Sequence, residues 1–334
     1  MKIKKIIPWI ILVFLAAGCN QPVNRKTEQP SNTGQKPRVA VPEFNADSAY
    51  SYIKSQQAFG PRVPNTKAHE KCAAWLYEKL NSWAMEVMVQ KGKVAAYNGT
   101  MLSFQNIIAS WMPETHNRIL LAAHWDSRPY ADHDPEPGNR RTPIEGINDG
   151  ASGVAVLLEI ARNLSLKTPP IGIDIILFDV EDYGPPQDQP SNENTDEQWC
   201  LGSRYWSNNP HKPGYSARYG ILLDMVGAAN ATFLMEGVSM HYAEEIVRLV
   251  WATGNRIGYS SFFLYEPGGY ITDDHGPINK IRNIPTIDII HLDRNSPTGF
   301  FPQWHTLNDN MDFIEKTTIK AVGQTVLTVI YEEK

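Results

Sequence analysis

Short runs of consecutive apolar residues recur along the chain, separated by longer stretches in which apolar residues return every three or four positions. Runs such as "IDIIL" (residues 173–177) and "GILL" (220–223) are typical of strands buried on both faces. The longer stretches, of which 150–165 and 240–255 are examples, have the spacing of amphipathic helices. This alternation predicts one α/β domain over residues 43–334: a three-layer sandwich with a central mixed, mostly parallel twisted β-sheet flanked by helices.

The boundaries of the predicted elements follow from the same pattern. Strands are expected at 117–126, 172–181, 218–227, 231–237 and 284–292. Helices are expected at 45–60, 65–83, 150–165, 240–255 and 313–331. Asn45 and Asn65 stand at the start of the first two helical stretches and are candidate caps, since an asparagine side chain can accept the free amides of a first turn.

Ionisable residues follow four of the predicted strands at the point where each strand ends. These residues are His124 with Asp126, Glu181 with Asp182, Asp224, and His291. In open α/β sheets, ligands bind beyond the carboxyl ends of the strands. The sequence therefore predicts a functional site at this edge of the sheet.

The stretch "IILFDVEDYG" (175–184) contains the most informative of these ends. Glu181 and Asp182 are adjacent, and neighbouring side chains in extended backbone point in opposite directions. One carboxylate can then serve a metal while the other serves a substrate.

Histidine, aspartate and glutamate are ligands for zinc, but the chain has no His-Glu-x-x-His motif. The candidates come singly from strand ends and loops: His124, Asp126, Asp149, Glu181, Asp182, Asp224, Asp273, Asp274, His275, His291 and His305. Each also has a structural interpretation: Asp149 as a helix cap, His291 as a core histidine, Asp273 and Asp274 as turn residues. Their joint pattern favours a metal site.

The first residues have the pattern of an export signal. Three lysines precede an apolar stretch that ends in "LAAGC", which resembles a bacterial lipoprotein signal with Cys19 as the lipidated residue. We expect a signal peptide at 1–18 and a flexible tether at 19–42, because that segment is polar and lacks hydrophobic period. The protein is then exported and lipid-anchored to a bacterial membrane, with its domain in the periplasm or at the cell surface.

Charge and cysteine content add two limits. A net charge of −5 and a pI near 6.0 offer no global attraction for nucleic acid, so none is expected as a partner. Cys72 and Cys200 lie in a chain predicted to reach an oxidising compartment. They are either bonded to each other or two partly buried free thiols.

Five short motifs resemble, in this order, those of zinc-dependent exported aminopeptidases and their relatives, the glutaminyl cyclases. They are "HWDS", "NDGASGV", "FDVED", "LDMVGA" and "WHTLNDN". Three further segments, "CLGSRYWS", "TDDHGPI" and "FFPQWHTLNDN", resemble the cyclases in particular. The resemblance implies the zinc aminopeptidase-like fold and an acyltransferase that converts the N-terminal Gln of peptides or proteins to pyroglutamate, with release of ammonia.

The resemblance also implies a role for each matching residue. One zinc is expected on Asp149, Asp182 and His305. Glu181 matches the general base and acid, and Asp224 and Asp274 match acids of the surrounding hydrogen-bond network. Phe301, Trp304 and His291 match residues that hold the substrate, while His124 and Asp126 remain candidates for a second metal or for support of the first.

Two features depart from the cyclase pattern. The acid pair there is usually Glu-Glu, so Asp182 is one methylene shorter than expected. An acidic, proline-rich loop at 184–199 either shapes substrate access or is solvated without a role.

The alternative function is an aminopeptidase with two zinc ions, the second on His124, Asp149 and Asp224, with Glu181 activating water. A peptide-binding protein on a degenerate enzyme scaffold is a further alternative, which requires missing ligands or a missing base.

Overall fold

The computed structural model describes residues 40–189 and 195–334. The predicted signal peptide, Cys19 and all but the last residues of the tether lie outside the described residues. Among the described helices, none is both long and apolar enough to cross a membrane.

The core of the domain is a six-stranded sheet in the order β1-β2-β4-β3-β5-β8. Strands β3, β4, β5 and β8 run parallel, while β2 pairs antiparallel with both β1 and β4. The sheet strands are β1 (Glu86–Ala95), β2 (Met101–Trp111), β3 (Arg118–His124), β4 (Gly172–Phe178), β5 (Gly220–Asp224) and β8 (Thr286–Ile290). Two short parallel strands, β6 (Phe233–Met235) and β7 (Phe263–Pro267), form a separate ribbon.

Within residues 40–189 and 195–334, seven α-helices accompany the sheet. They are α1 (Ala46–Gln57), α2 (Lys67–Asn81), α3 (Ala151–Leu166), α4 (Leu201–Asn208), α5 (Gly237–Arg256), α6 (His275–Pro277) and α7 (Lys316–Glu332). A π-helical turn at Ile278–Arg282 follows α6, and 3₁₀ turns lie at Pro137–Asn139, Thr195–Gln198 and Met311–Phe313.

Alternate residues of the central strands enter two different cores. In β3, Leu121 packs in the larger core, to which α1, α2, α3, α5 and α7 contribute, whereas Leu120 and Ala122 pack in the smaller one with Trp206 of α4. Both faces of the parallel strands are therefore buried, which explains their continuous apolar runs. The predicted three-layer α/β fold with a mixed, mostly parallel sheet is confirmed.

Some local predictions were wrong or incomplete. The β1–β2 hairpin, β7 and α4 were not predicted, and β1 in particular alternates exposed and half-buried residues because it is an edge strand. Asn45 caps α1 by accepting the Ser48 amide, but Thr66, not Asn65, caps α2 by accepting the His69 amide. Asn65 instead has a left-handed backbone with φ of 70°.

The cysteines of the described domain do not pair. Cys72 lies on α2 and Cys200 directly before α4, and both are buried free thiols. Cys200 stands next to the carboxyl ends of the strands, where the candidate site forms.

Candidate metal centre and substrate cavity

Asp149, Asp182 and His305 converge beyond the carboxyl ends of β3 and β4, and all three are buried. His305 Nε2 lies 3.5 Å from Asp149 Oδ2 and 3.3 Å from Asp182 Oδ1. A tetrahedral zinc with bonds of 2.0–2.1 Å separates its ligands by about 3.3 Å. Asp182 Oδ2 is buried without a hydrogen-bond partner among the described residues, so this carboxylate has lone pairs free for a cation. The donor set fits zinc.

Asp149 reaches this position from the turn before α3. Its amide and that of Asn148 donate to the Asp309 carboxylate at 3.1 and 2.7 Å. Gly150 follows with φ of 87°, and a Cβ there would lie 2.8 Å from His124 Cε1. The helix has no side-chain cap, so Asp149 is not the helix cap considered from the sequence, and its carboxylate is free to face the site.

Asp126 holds the backbone of the acid pair. Its carboxylate accepts the amides of Glu181 at 3.1 Å and of Asp182 at 3.3 Å. Val180, directly before the pair, has a left-handed backbone with φ of 56°. The chain therefore turns sharply after β4, and this turn brings the shorter Asp182 to His305. Asp126 supports the site through the backbone of the two acids.

Asp132 and Arg128 form a second layer behind the three candidate ligands, which the sequence analysis missed. Asp132 Oδ1 lies 3.4 Å from His305 Nδ1, and Arg128 donates to both Asp132 oxygens at 2.8 and 2.7 Å. Burial alone would raise the pKa of Asp132, but Arg128 and His305 outweigh it and lower that pKa. The sequence signal that could have indicated this pair is an arginine and an aspartate four residues apart, Arg128 and Asp132, shortly after "HWD".

A second cluster of metal-ligand type shares Asp149. His124 Nε2 lies 3.1 Å from Asp149 Oδ1 and 3.2 Å from Asp224 Oδ1. Burial raises the pKa of Asp224 to about 8, with Asp149 adding to the rise and His124 opposing it. The two carboxylates can either pair with His124 or, together with it, hold a second cation.

Glu181 points to a different environment from Asp182. Both acids line the cavity, but Glu181 Oε1 lies 3.3 Å from Cys200 Sγ, and Glu181 belongs to a cluster with Asp273. Burial raises the pKa of Glu181 well above its ordinary value, and the charges of Asp182 and Asp273 add to the rise while His124 opposes it. A carboxyl group with a raised pKa can accept and return a proton near neutral pH.

A cavity of about 360 Å³ opens over these acids. Its wall carries four aromatic side chains, Trp199, Tyr270, Phe300 and Trp304. The Trp304 ring stacks on His305 with centroids 3.7 Å apart. The polar floor and aromatic wall are the composition expected of a small-substrate pocket.

Two residues predicted from the sequence, Phe301 for substrate binding and Asp274 for the hydrogen-bond network, do not line the cavity. Phe301 is buried and stacks on His291, whereas Phe300 lines the cavity. Asp274 is fully buried and absent from the lining, which Asp273 joins instead.

Two of the candidate histidines also lie away from the cavity. His291 is buried, and burial lowers its pKa to about 4. His275 lies deeper, with Nε2 3.2 Å from Glu236 Oε2. Neither lines the cavity. The end of the acidic loop does reach it, through Trp199, which lies near His305 with centroids 6.4 Å apart.

Residues 106–330 match the model of peptidase family M28. The chain belongs to this family. It is similar over 88% of its length to the whole solved chain of a Bacteroides thetaiotaomicron glutaminyl cyclase bound to N-acetylhistamine, with 55% identity and a TM-score of 0.86. A Tannerella forsythia glutaminyl cyclase is similar over 88% of this chain and 100% of that one, with 51% identity and a TM-score of 0.85.

The peptidase side of the family is also close in structure. A Parabacteroides distasonis protein described as a Zn-dependent exopeptidase is 53% identical over 88% of this chain, with a TM-score of 0.86. The curated glutaminyl-peptide cyclotransferase of Bos taurus is 27% identical over 267 residues, a match covering 69% of this chain and 66% of that protein. The family predicted from the sequence motifs, the glutaminyl cyclases of the zinc aminopeptidase-like superfamily, is confirmed.

Proposed function

We propose that this protein is a zinc-dependent glutaminyl-peptide cyclotransferase, which converts the N-terminal Gln of peptides or proteins to pyroglutamate and releases ammonia. The observation that carries the proposal is the divergence of the acid pair. Asp182 joins Asp149 and His305 at spacings that suit zinc, while Glu181 contacts Cys200 in the same aromatic-walled cavity. The similarity to solved bacterial glutaminyl cyclases over their whole chains supports it.

The reaction joins the substrate α-amine to the δ-carbon of its own side chain and expels the side-chain nitrogen as ammonia. Both reacting groups belong to one residue, so holding that residue in a folded conformation supplies much of the rate. Trp304 and Phe300 would enclose the Gln side chain and exclude water, which disfavours hydrolysis. Glu181 would take a proton from the attacking amine and deliver it to the leaving nitrogen. When bound, zinc polarises the amide carbonyl and stabilises the negative charge that develops on its oxygen.

One zinc per chain is the count we propose, on Asp149, Asp182 and His305. In this arrangement His124 contacts Asp149 and Asp224 through Nε2 rather than holding a metal. The same cluster is the specific observation in favour of the alternative, a di-zinc aminopeptidase, because it is complete and shares Asp149 with the first site.

Purified protein incubated with a Gln-initiated peptide tests the proposal. We expect the peptide mass to fall by one ammonia, and we expect a heterocyclic chelator to abolish the change. The metal content should be close to one zinc per chain. Two zinc ions per chain together with release of amino acids from anilide substrates would establish the aminopeptidase. Zinc-free protein that leaves both substrates unchanged would establish the binding protein.

We also propose export and lipid anchoring through Cys19, which the "LAAGC" motif supports. The experiment is metabolic labelling with a fatty acid in a bacterial host, comparing the natural chain with Cys19→Ala. Label and membrane sedimentation should both be lost in the variant. Equal sedimentation of the two proteins would refute the anchor.

A further inference from the structure

Cys200 touches the carboxylate that the proposed reaction uses as its base. Its Sγ lies 3.3 Å from Glu181 Oε1, within hydrogen-bond distance for a sulfur donor. Cys200 is fully buried, and among the described residues no protein donor reaches the other oxygen of Glu181. The resemblance to known families assigned no role to this cysteine.

The chain fixes the position of Cys200 relative to Glu181 through the backbone. The Cys200 amide donates to the Glu181 carbonyl at 3.0 Å, and the Leu201 amide donates to the Val180 carbonyl at 2.9 Å. Cys200 has a left-handed backbone with φ of 57°, which is uncommon for a side chain of this kind and persists only where the surroundings impose it.

The first turn of α4 lies directly against the end of β4. A Cβ at Gly202 would stand 2.0 Å from the carbonyl oxygen of Asp179, so only glycine permits this approach. Asn106 joins the two segments, since its Nδ2 donates to the Gly202 carbonyl at 3.0 Å and its Oδ1 accepts the Asp179 amide at 3.0 Å. The thiol and the carboxylate are thus carried by two backbone segments that are fastened together.

The surroundings also decide which group donates. Burial raises the pKa of the Cys200 thiol well above its ordinary value, and the carboxylates of Glu181, Asp274 and Asp273 raise it further. The thiol therefore keeps its proton across the range in which the enzyme would work. When Glu181 is in the carboxylate form that accepts the proton of the amine, the thiol is the member of the pair that carries a hydrogen to donate.

We propose that Cys200 is a positioning residue for Glu181: its S–H group holds one carboxylate oxygen and leaves the other for the substrate amine. This inference rests on the proposed cyclase function for its kinetic consequence, but the hydrogen bond itself does not. Without the donor, the Glu181 side chain gains rotational freedom at the end of a flexible stem, and the productive orientation becomes less populated.

The test compares Cys200→Ala and Cys200→Ser with Cys72→Ala, which removes another fully buried free thiol, one that lies on α2 and does not line the cavity. We expect Cys200→Ala to lower kcat by about 5- to 30-fold with KM and zinc content near the natural values. Serine restores a donor, so Cys200→Ser should recover most of kcat. Cys72→Ala should have the natural kcat.

An infrared measurement separates this inference from the proposed function, because it needs no turnover. The S–H stretching band that vanishes in Cys200→Ala should change frequency in Glu181→Gln, whereas the band that vanishes in Cys72→Ala should not. The inference would be overturned if the frequency of the Cys200 band were the same in Glu181→Gln as in the natural protein. It would also be overturned if Cys200→Ala had the natural kcat. If the Cys200 band shifts in Glu181→Gln but the natural protein cyclises no Gln-peptide, the hydrogen bond is supported and the proposed function is refuted.

Discussion

The carboxylates of Glu181 and Asp182 leave adjacent residues and enter different surroundings. Asp182 Oδ1 lies 3.3 Å from His305 Nε2, whereas Glu181 Oε1 lies 3.3 Å from Cys200 Sγ beside the cavity. The Asp126 carboxylate, which accepts both amides, fixes the peptide from which the two side chains diverge. A metal ligand and a proton carrier can thus be adjacent in sequence without competing for the same ion.

This divergence predicts opposite phenotypes for two substitutions. Asp182→Ala should lose zinc, since it removes one of the three proposed ligands, whereas Glu181→Gln should retain zinc and lose turnover by about 10²- to 10⁴-fold. Elemental analysis of the purified proteins and the peptide mass assay measure the two properties separately. If both variants lost zinc equally, or both retained it, the assignment of the two acids would be wrong.

Asp132 is predicted to control zinc affinity without touching the metal. It faces Nδ1 of His305, the nitrogen turned away from the other ligands, and its carboxylate is held by Arg128. Asp132→Asn should weaken zinc binding about 10- to 100-fold, because partners of this kind orient a ligating histidine. Competition with a chromogenic chelator measures the affinity.

The matched control for that experiment is Asp188→Asn. Asp188 also pairs with an arginine, but both partners are exposed. Its substitution should leave zinc affinity unchanged. An Asp132→Asn protein with natural affinity would show that Asp132 does not act on the metal through His305.

The fold was predictable because the burial of the central strands is visible in the sequence as runs of apolar residues. Strands buried on both faces need continuous apolar runs, and β3, β4, β5 and β8 have them. An ionisable residue after such a run is conspicuous, so His124 and Asp224 could be found. The edge strand β1 alternates exposed and half-buried residues, and its polar sequence does not differ enough from a loop to be recognised.

The site was less predictable wherever two similar residues are adjacent. Phe300 and Phe301, or Asp273 and Asp274, satisfy a motif equally well when it is shifted by one residue. Only the direction of the backbone decides which side chain faces the cavity, and that direction depends on tertiary contacts. The contact between Cys200 and Glu181 joins residues separated by the acidic loop, which no local pattern reveals.

Glu236 is predicted to make stability depend on acidic pH. Its carboxylate caps α5, accepting the amides of Val238 at 2.7 Å and Ser239 at 2.6 Å, and it also lies against His275. Burial alone would raise the pKa of Glu236, but His275 and these amides outweigh it and lower the pKa to about 2. The ordinary value is 4.5, so the stabilisation is complete above pH 4.5 and is lost as the pH falls towards 2.

The full effect is about 3 kcal/mol, of which about 2 kcal/mol is lost between pH 6 and pH 3. Urea unfolding of metal-free protein between pH 6 and pH 3 measures it, as the difference in unfolding free energy between the natural chain and Glu236→Gln. That difference should shrink as the pH falls. Glu244→Gln, which removes an exposed carboxylate paired with Arg248 on the same helix, is the matched control. A constant difference for Glu236→Gln would contradict the lowered pKa.

Substitutions of Phe300 and Phe301 are predicted to have different effects, because Phe300 lines the cavity and Phe301 is buried outside its lining. Phe301 is 1% exposed and packs with Met225, Leu234 and Leu292, so Phe301→Ala should lower the unfolding free energy by about 3–5 kcal/mol. Phe300 is half-buried on the cavity wall. Phe300→Ala should therefore weaken turnover of Gln-peptides with a much smaller loss of stability. Denaturant unfolding and kcat/KM, measured on the same preparations, compare the two variants. A Phe301→Ala protein with natural stability and impaired turnover would instead support Phe301 as the substrate-binding residue predicted from the sequence.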